Sequence, residues 1–444
     1  MIRIPGPDLS PIEAARRLGG KPGRFLLDSA SDADGLGRWA LVSAEPERVE
    51  RARVRGGEED LLGELARAEE RALPLATQGT GPVPVAVGYL GYDLGRNVVG
   101  QGPLFRAASS AAVDDLGLDD AWFGFYGATW RHDRLTGRGE VVGVDERAAW
   151  KLRKALDEPS PATRMLEVGP LLSDHEPSRH VAAIERALEY IRAGDIYQVN
   201  LARRLRARIL SHGDPLAVYE RVTGDAPAPF GALLECEDMT IVSNSPELFL
   251  CRRAGSSVVE TRPIKGTRAR GREAGVDAVL AGELSRDEKE RAEHLMIVDL
   301  ERNDLGRVCR TGSVRVDDFA RVVSLPTVHH LVSTVSGELR PGVGVADVLR
   351  ATFPGGSITG APKLRAMQVI DELEPVTRGV YTGAIGYVGA GGEVQLSIAI
   401  RTAILARGSL HLHVGGGIVA DSRPERELEE TEEKAAAFRR VLSG

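Results

Sequence analysis

A lysine crowded by cations is the most reactive group this chain offers. Lys265 lies in Glu260-Thr-Arg-Pro-Ile-Lys-Gly-Thr-Arg-Ala-Arg-Gly271, among Arg262, Arg268 and Arg270 and beside Gly266 and Thr267. Neighbouring positive charge disfavours an ammonium, and the neutral amine that results is a nucleophile or base where the ammonium is neither. Gly266 lets backbone approach a ligand closely, and Thr267 adds a hydroxyl. A solvated basic loop is the other reading of the same residues. A carboxylate, Glu247 in Ser245-Pro-Glu-Leu-Phe249, precedes an apolar strand; a hairpin through residues 252–257 would carry it beside the lysine segment.

Two acidic pairs suggest a second chemistry. Glu290, Glu293, Ile297 and Leu300 fall on one stripe of a helix, so these carboxylates share a line with apolar residues and need partners: a base, donors or a metal ion. Glu427 and Glu430 repeat the spacing on the C-terminal helix. Facing carboxylates over oxygen ligands suit Mg²⁺. A solvated acidic face is the alternative for the second pair. Anion binding has its own candidates. The loop Phe353-Pro-Gly-Gly-Ser-Ile-Thr-Gly-Ala-Pro-Lys363 joins Ser357, Thr359 and Lys363 to a helix N-terminus. It lacks the P-loop spacing. Gly415, Gly416 and Gly417 offer consecutive amides unhindered by side chains, and Arg401 ends an apolar run where a purely solvated arginine is out of place.

The elements that must position these groups are mixed. Residues 1–155 contain closely spaced strands, among them Arg24–Ser29, a polar Asp/Gly loop, Arg38–Ser43, Val83–Tyr92, Ala121–Tyr126 and Gly139–Val144, a spacing that favours antiparallel sheet. A polar, proline-containing connector over 157–176 leads to the region 175–444. There Arg179–Ala193 is helical and stops at Gly194, and residues 195–203 alternate as a strand that puts Gln198 and Asn200 on one face. A strand glutamine usually faces solvent. Ser285 begins the clearest helix, with Glu288 completing a capping box. His329 and His330 are adjacent in a β-branched run and so face opposite sides.

Composition narrows the classes. With 42% hydrophobic residues, 444 residues can bury a large core. A net charge of -7 with both signs interspersed argues against nucleic-acid binding. Cys236, Cys251 and Cys309 form no CxxC pair, which indicates neither a disulfide framework nor a zinc site. No signal peptide or membrane-length apolar run is evident, so a cytoplasmic protein without membrane association is expected.

Taken together, the blocks GDIYQVNLAR, SPELF, TRPIKGTRARG, RAEHLMIVDLERNDLGRV, FPGGSITGAPKLRAM, YTGAIGY, IAIRT, GGGIVADS and ELEETEEKA resemble, in order, the chorismate-utilising enzymes. The resemblance is continuous from about residue 191 and within the family is greatest to the aminodeoxychorismate synthase component I branch. It implies an α+β fold of large antiparallel sheets packed together and covered by helices, with a deep active-site cleft. It implies Glu293 and Glu430 as Mg²⁺ ligands, supported by Glu290 and Glu427. Thr267, Tyr381, Arg401 and Gly415–Gly417 match positions that bind substrate carboxylates, and His330 matches a histidine near the departing C4 hydroxyl. Gln198 matches the glutamine of ammonia-using members, where water-using members carry a lysine base. Lys265 matches the PIKGT of aminodeoxychorismate synthases rather than the PIAGT of anthranilate synthases, the runner-up reading, and implies attack by the amine on C2 of chorismate. Glu247 resembles the general acid/base. A non-catalytic chorismate-binding protein is the reading from another class. No cysteine stands in a glutaminase-like turn, which implies a separate glutamine amidotransferase subunit supplying ammonia. Leu26–Ser29 looks like the family's tryptophan-site segment.

Overall fold

A computed structural model describes residues 1–29, 36–53, 61–75, 81–96, 112–162, 164 and 166–442. The Asp/Gly loop expected after Ser29 lies outside them over residues 30–35. Along the chain, the elements that matter for the site begin with strands β1 (Phe25–Asp28) and β2 (Pro84–Leu90). Helix α1 (Pro177–Arg192) leads into β3 (Gln198–Ser211), followed by β4 (Phe230–Glu235) and β5 (Thr240–Ser245). Next come β6 (Leu248–Arg252), β7 (Val258–Arg262), β8 (Ile264–Ala269), helices α2 (Ala274–Arg286) and α3 (Glu288–Gly306), and β9 (Val328–Glu338). Helix α4 (Lys363–Leu373), β10 (Ala384–Gly389), β11 (Val394–Ile398), β12 (Thr402–Ala406), β13 (Ser409–Ile418) and α5 (Pro424–Leu442) complete the set.

Among the described residues the strands form two antiparallel sheets, one of 13 strands and one of 10, giving the expected α+β architecture. The larger holds β1, β3, β4, β5, β12 and β13; the smaller holds β2 and β6 to β11. Both draw strands from either side of the connector, since β1 pairs with β4 and β2 with β10. Hydrogen-bonded ladders thus cross the boundary between 1–155 and 175–444. Facing side chains join the sheets: Phe25, Leu41, Leu234 and Ile404 of one meet Val87, Tyr89, Trp122 and Ile385 of the other, each fully buried or nearly so. Burial of each such side chain contributes about 1.5–3 kcal/mol. Helix α3 packs on β8 and β9, and α5 packs on β13.

Among the places where the chain passes between the sheets are the step from β5 to β6 and the return from β11 to β12. These two corners are clasped: Asn244 N–H donates to the Arg401 carbonyl at 3.1 Å and Ile398 N–H to the Glu247 carbonyl at 3.0 Å. Glu247 and Arg401 stand at the corners themselves.

Local signals explain most boundaries. Gly194 takes φ +80 after α1, where Asp195 N–H bonds the Tyr190 carbonyl and Gly194 N–H that of Ile191, which turns the chain toward β3. The Ser285 start is corrected. Ser285 lies inside α2, whose last turn is held by the fully buried Leu284. Asp287 caps α3 instead, accepting from Glu290 N–H at 3.1 Å. Among the described residues no helix is long and apolar enough to cross a membrane.

Candidate active site

Lys265 is presented by a strand broken on purpose. β7 and β8 follow one another along the same edge of β9, separated by Pro263, which has no N–H to give the ladder. Three residues further, at Gly266, the register slips: Lys265 faces Leu331 and Thr267 faces His330. Gly266 is the extra residue, at φ +67, and a Cβ there would lie 2.9 Å from Leu284 and 3.2 Å from Glu290 Oε2.

The three arginines around it are already paired. Arg262 bonds Glu260 at 3.0 Å, Arg268 bonds Asp287 at 2.7 Å, and Arg270 bonds Asp277 at 2.7 Å. Neutralised in this way, they are not what perturbs Lys265, and the expectation that Arg262 and Arg268 depress its pKa is corrected. Burial is the main cause holding that pKa below the usual lysine value; Glu247 opposes it, Lys434 reinforces it, and Glu293 and Glu430 oppose it. The side chain still meets solvent along the cleft while protein surrounds its ammonium, which donates to the Ser357 carbonyl at 3.3 Å. Glu247 is buried in turn, and burial raises its pKa against the pull of Ser357, Lys265 and the Ile264 amide. A buried amine and a buried acid, each pushed toward its neutral form, therefore face one another.

Across the gap, the larger sheet supplies Gln198. It is fully buried rather than solvent-facing, with Ala361 paired beside it and Gly417 of β13 against its amide. A Cβ on Gly417 would lie 2.6 Å from Gln198 Nε2 and 3.7 Å from Lys265 Nζ, so this glycine is where the two sheets' reactive groups converge. Among the described residues neither amide atom of Gln198 has a protein partner, and neither does His330 Nε2. Unpaired buried polar atoms are costly, and their clustering here marks a ligand site. His330 Nδ1 lies 3.2 Å from the Gly266 carbonyl and 3.1 Å from Thr267 Oγ1. A carbonyl only accepts, which assigns the proton to Nδ1 and leaves a lone pair on Nε2. Burial, with Arg401 adding, lowers the His330 pKa to about 4. His329 points the other way, to Ser324 at 2.8 Å and Asp277 at 2.9 Å.

The candidate anion-binding residues differ in how far they are engaged. Arg401 takes φ +50 at its corner, burial lowers its pKa, and no carboxylate pairs with it among the described residues. Tyr381 is buried and stacks on His413 with ring centroids 5.2 Å apart. Of the three glycine amides, two are directed outward. Ala202 N–H is spent on Glu374 and Asn200 N–H on the Thr359 carbonyl, so the pairs at Gly415 and Gly417 are the non-hydrogen-bonded ones and only Gly416 serves the ladder. Lys363 is engaged elsewhere: its ammonium bonds Asp304 at 2.5 Å and the Thr352 carbonyl at 2.8 Å. Thr359 bonds the Gly355 carbonyl at 2.9 Å.

The four glutamates approach from two helices. Glu427 and Glu430 of α5 lie over Gly416, whose Cβ would meet them at 3.3 and 3.5 Å; Glu290 of α3 lies beside Gly266. Burial raises the pKa of Glu293, with Lys265 opposing and Glu290 adding, and burial also raises Glu427. For Glu430, burial works upward but Lys434 at 2.6 Å outweighs it and the net shift is down. No three of these carboxylates form a cage by themselves among the described residues. Mg²⁺ is ordinarily held by one or two carboxylates with waters and substrate oxygens, and an all-oxygen donor set of this kind fits it.

Three residues escaped sequence reasoning. Lys434, which also donates to the Gly415 carbonyl at 2.7 Å, was signalled by its i+4 spacing from Glu430. Arg378 is buried and joins Glu374, the Asn200 carbonyl and the Ile358 carbonyl, fixing β3 against the serine loop; nothing local announced it. Glu301, buried on α3, is the third.

A profile of chorismate binding enzymes matches residues 24–440. Aminodeoxychorismate synthase component 1 of Bacillus subtilis (strain 168) is 39% identical over 370 residues, 80% of this chain and 76% of that protein. Anthranilate synthase component 1 of Thermus thermophilus is 37% identical over 454 residues, 98% of this chain and 95% of that one. The crystal structure of anthranilate synthase component I from Streptococcus pneumoniae TIGR4 is similar with a TM-score of 0.77 at 32% identity, covering 99% of both chains.

Proposed function

The chain belongs to the family of chorismate binding enzymes, and from that premise we propose that it converts chorismate and ammonia to 4-amino-4-deoxychorismate, on the path to 4-aminobenzoate and folate. One observation carries the choice: a buried amine, Lys265, sits opposite buried Glu247, with the unpartnered amide of Gln198 across Gly417. An enzyme that only added ammonia to chorismate would have no use for an amine there.

Chorismate is a dianion, and the unpaired Arg401, the outward amides of Gly415 and Gly417, and Tyr381 and Thr267 supply its binding groups. Bound Mg²⁺ would be held by Glu293 and Glu430, with Glu290 and Glu427 beside them, and would offset carboxylate charge and orient the ring. Lys265, as the free amine, attacks C2; the ring double bond shifts and the C4 hydroxyl leaves as water with a proton from Glu247. His330 Nε2 accepts a hydrogen bond at that edge. Ammonia, held by Gln198, adds at C4, Lys265 leaves C2 as the free amine, and the proton that the added ammonia gives up returns to Glu247. Ser357, with its carbonyl on Lys265, positions the amine; Lys363 supports the same loop through Thr352. Ammonia comes from a separate glutamine amidotransferase subunit.

Anthranilate synthesis is the second reading, favoured by the similarity to anthranilate synthase components. Incubation with chorismate, ammonium and Mg²⁺, followed by mass spectrometry with and without a lyase that releases 4-aminobenzoate, tests both. Lyase-dependent 4-aminobenzoate is expected. Fluorescent anthranilate without added lyase, or unchanged product and rate in Lys265→Ala, would overturn the proposal.

A further inference from the structure

One edge of β3 has a gap, and side chains close it. Gly360–Ala361 pairs with Val199 and Gln198 at its start, and Leu172–Ser173 pairs with Arg206 and Leu205 further on. Among the described residues no strand lies between them along this edge. Instead, the Asn200 carbonyl accepts from Arg378 Nη2 at 2.6 Å, and Ala202 N–H donates to Glu374 Oε1 at 2.9 Å. Arg378 and Glu374 are buried and paired with each other, Nη2 to Oε1 at 2.6 Å and Nε to Oε2 at 2.9 Å. The guanidinium reaches two more segments. Its Nη1 donates to the Ile358 carbonyl at 3.0 Å and to Thr382 Oγ1 at 3.2 Å, and its carbon lies 4.6 Å from the Tyr92 ring and 5.8 Å from that of Tyr381. The turn after Arg378 is held as well: Tyr92 N–H donates to the Gly379 carbonyl at 2.7 Å, and Gly379 N–H to Asp93 at 2.9 Å.

A side chain only 1% exposed thus ties together three segments, each beside a group assigned a part in the reaction. Asn200 stands two residues from Gln198, Ile358 next to Ser357, and Thr382 next to Tyr381. Stability alone gives little reason for a charge pair here, because desolvation offsets most of the attraction and apolar residues often replace such a pair without loss. Geometry gives a better one, since a planar guanidinium presents five donors in fixed directions. We propose that Arg378, oriented by Glu374, is a positioning residue that sets the relative placement of Gln198, of the Ser357 carbonyl on Lys265 and of the Tyr381 ring, without touching substrate. The inference rests on reading those groups as directed at chorismate, whichever product forms.

Paired substitutions separate fold from placement. Arg378→Met alone leaves the Glu374 charge buried and unpaired, and should lower the melting temperature. Arg378→Met with Glu374→Gln removes both charges and keeps an oxygen for Ala202 N–H. Its melt should return most of the way to wild type, while kcat for ammonium-dependent turnover of chorismate stays down on the order of 10²-fold. KM for chorismate should change far less than kcat, because Arg401 is untouched. Arg378→Lys keeps the charge without the fork; it should melt near wild type with kcat down about tenfold or more, and it decides the matter if the double variant does not fold. The buried pair Arg252–Glu69 is the control. It joins Gly392 and Val345 and none of these segments, so Arg252→Met with Glu69→Gln should change kcat no further than its melt requires. A kcat that recovers with the melt in the Arg378 double variant, or wild-type kcat in Arg378→Lys, makes the pair structural and overturns the proposal. Hydrogen exchange of the ligand-free, full-length protein gives a readout independent of turnover. Amides of residues 355–361 should exchange about tenfold or more faster in Arg378→Lys, with β4 and β5 unchanged, and unaltered exchange there also overturns the proposal. Wild-type protein that leaves chorismate unconverted would sink the proposed function, and the exchange result would still judge the role of Arg378.

Discussion

Replacing Gly417 by alanine should separate activity from stability. The added Cβ would lie 2.6 Å from Gln198 Nε2, while an ordinary contact begins near 3.4 Å, so about 0.8 Å must be found. The obstructing atom is the free end of a side chain with no protein hydrogen bonds to lose, and Lys265 Nζ at 3.7 Å needs no displacement. Gln198 therefore swings aside, and the fold loses at most about 1–2 kcal/mol, the low end for overpacking. The amide proposed to hold ammonia is then misplaced by most of an ångström, an error that costs on the order of 10²-fold in rate. The assay is kcat for ammonium-dependent product formation alongside a thermal melt. Gly415→Ala is the contrast, since its Cβ would meet the Leu201 backbone carbonyl at 2.4 Å, which cannot move cheaply; there the melt should suffer first. Gly416→Ala faces only Glu427 and Glu430 at 3.3 and 3.5 Å and should weaken the response to Mg²⁺ alone. Wild-type kcat in Gly417→Ala, or a melt lowered as far as in Gly415→Ala, would refute the placement of Gln198 opposite Lys265.

Other outcomes follow from the same geometry. Arg401→Ala leaves the backbone no more strained than arginine does and removes charged hydrogen bonds that contribute about 1.5–3 kcal/mol each; the KM for chorismate should rise by about 10-fold or more with a smaller change in kcat. Because the folded pKa of Lys265 is depressed, its amine form should appear, and the rate should climb, through a midpoint below the usual lysine value of about 10.4. For stability the sign is the same: the unfolded chain binds the extra proton between the folded pKa and about 10.4, so stability increases with pH across that window, and Lys265→Met should abolish this increase in urea titrations. Glu293→Gln should fold normally and need about tenfold or more Mg²⁺ for half-maximal activity; an unchanged Mg²⁺ titration would remove the metal assignment.

Sequence made the reactive groups legible where their signals were local. Pro263, Gly194 and Gly266 act through their own φ and missing atoms, and the i+3 spacing of the acidic pairs survives any tertiary arrangement. Signals that depend on distant partners were opaque. The arginines near Lys265 looked like its perturbing charges, yet Arg270 is neutralised by Asp277 and Arg268 by Asp287, on segments that the local pattern does not bring near. Gln198 reads as solvent-facing because its surroundings, Ala361 paired beside it and Gly417 against its amide, arrive from far along the chain. Lys363 looked like an anion ligand because its partner, Asp304, is on another helix. Burial, not charge, sets the Lys265 pKa, and burial belongs to the whole fold.

Two of the corners where the chain changes sheets, those at Glu247 and Arg401, also bear on how precisely the site is held. Lys265 and Gln198 belong to different sheets, so their separation would ordinarily accumulate every small displacement of one layer against the other. The corners at Glu247 and Arg401 are clasped by the Asn244–Arg401 and Ile398–Glu247 hydrogen bonds, one on each crossing. Motion of the layers is thereby taken up in common at this end and grows only with distance from it. The groups proposed to react thus lie at an end where the two layers are tied by chain and by hydrogen bonds, which resists their sliding past one another.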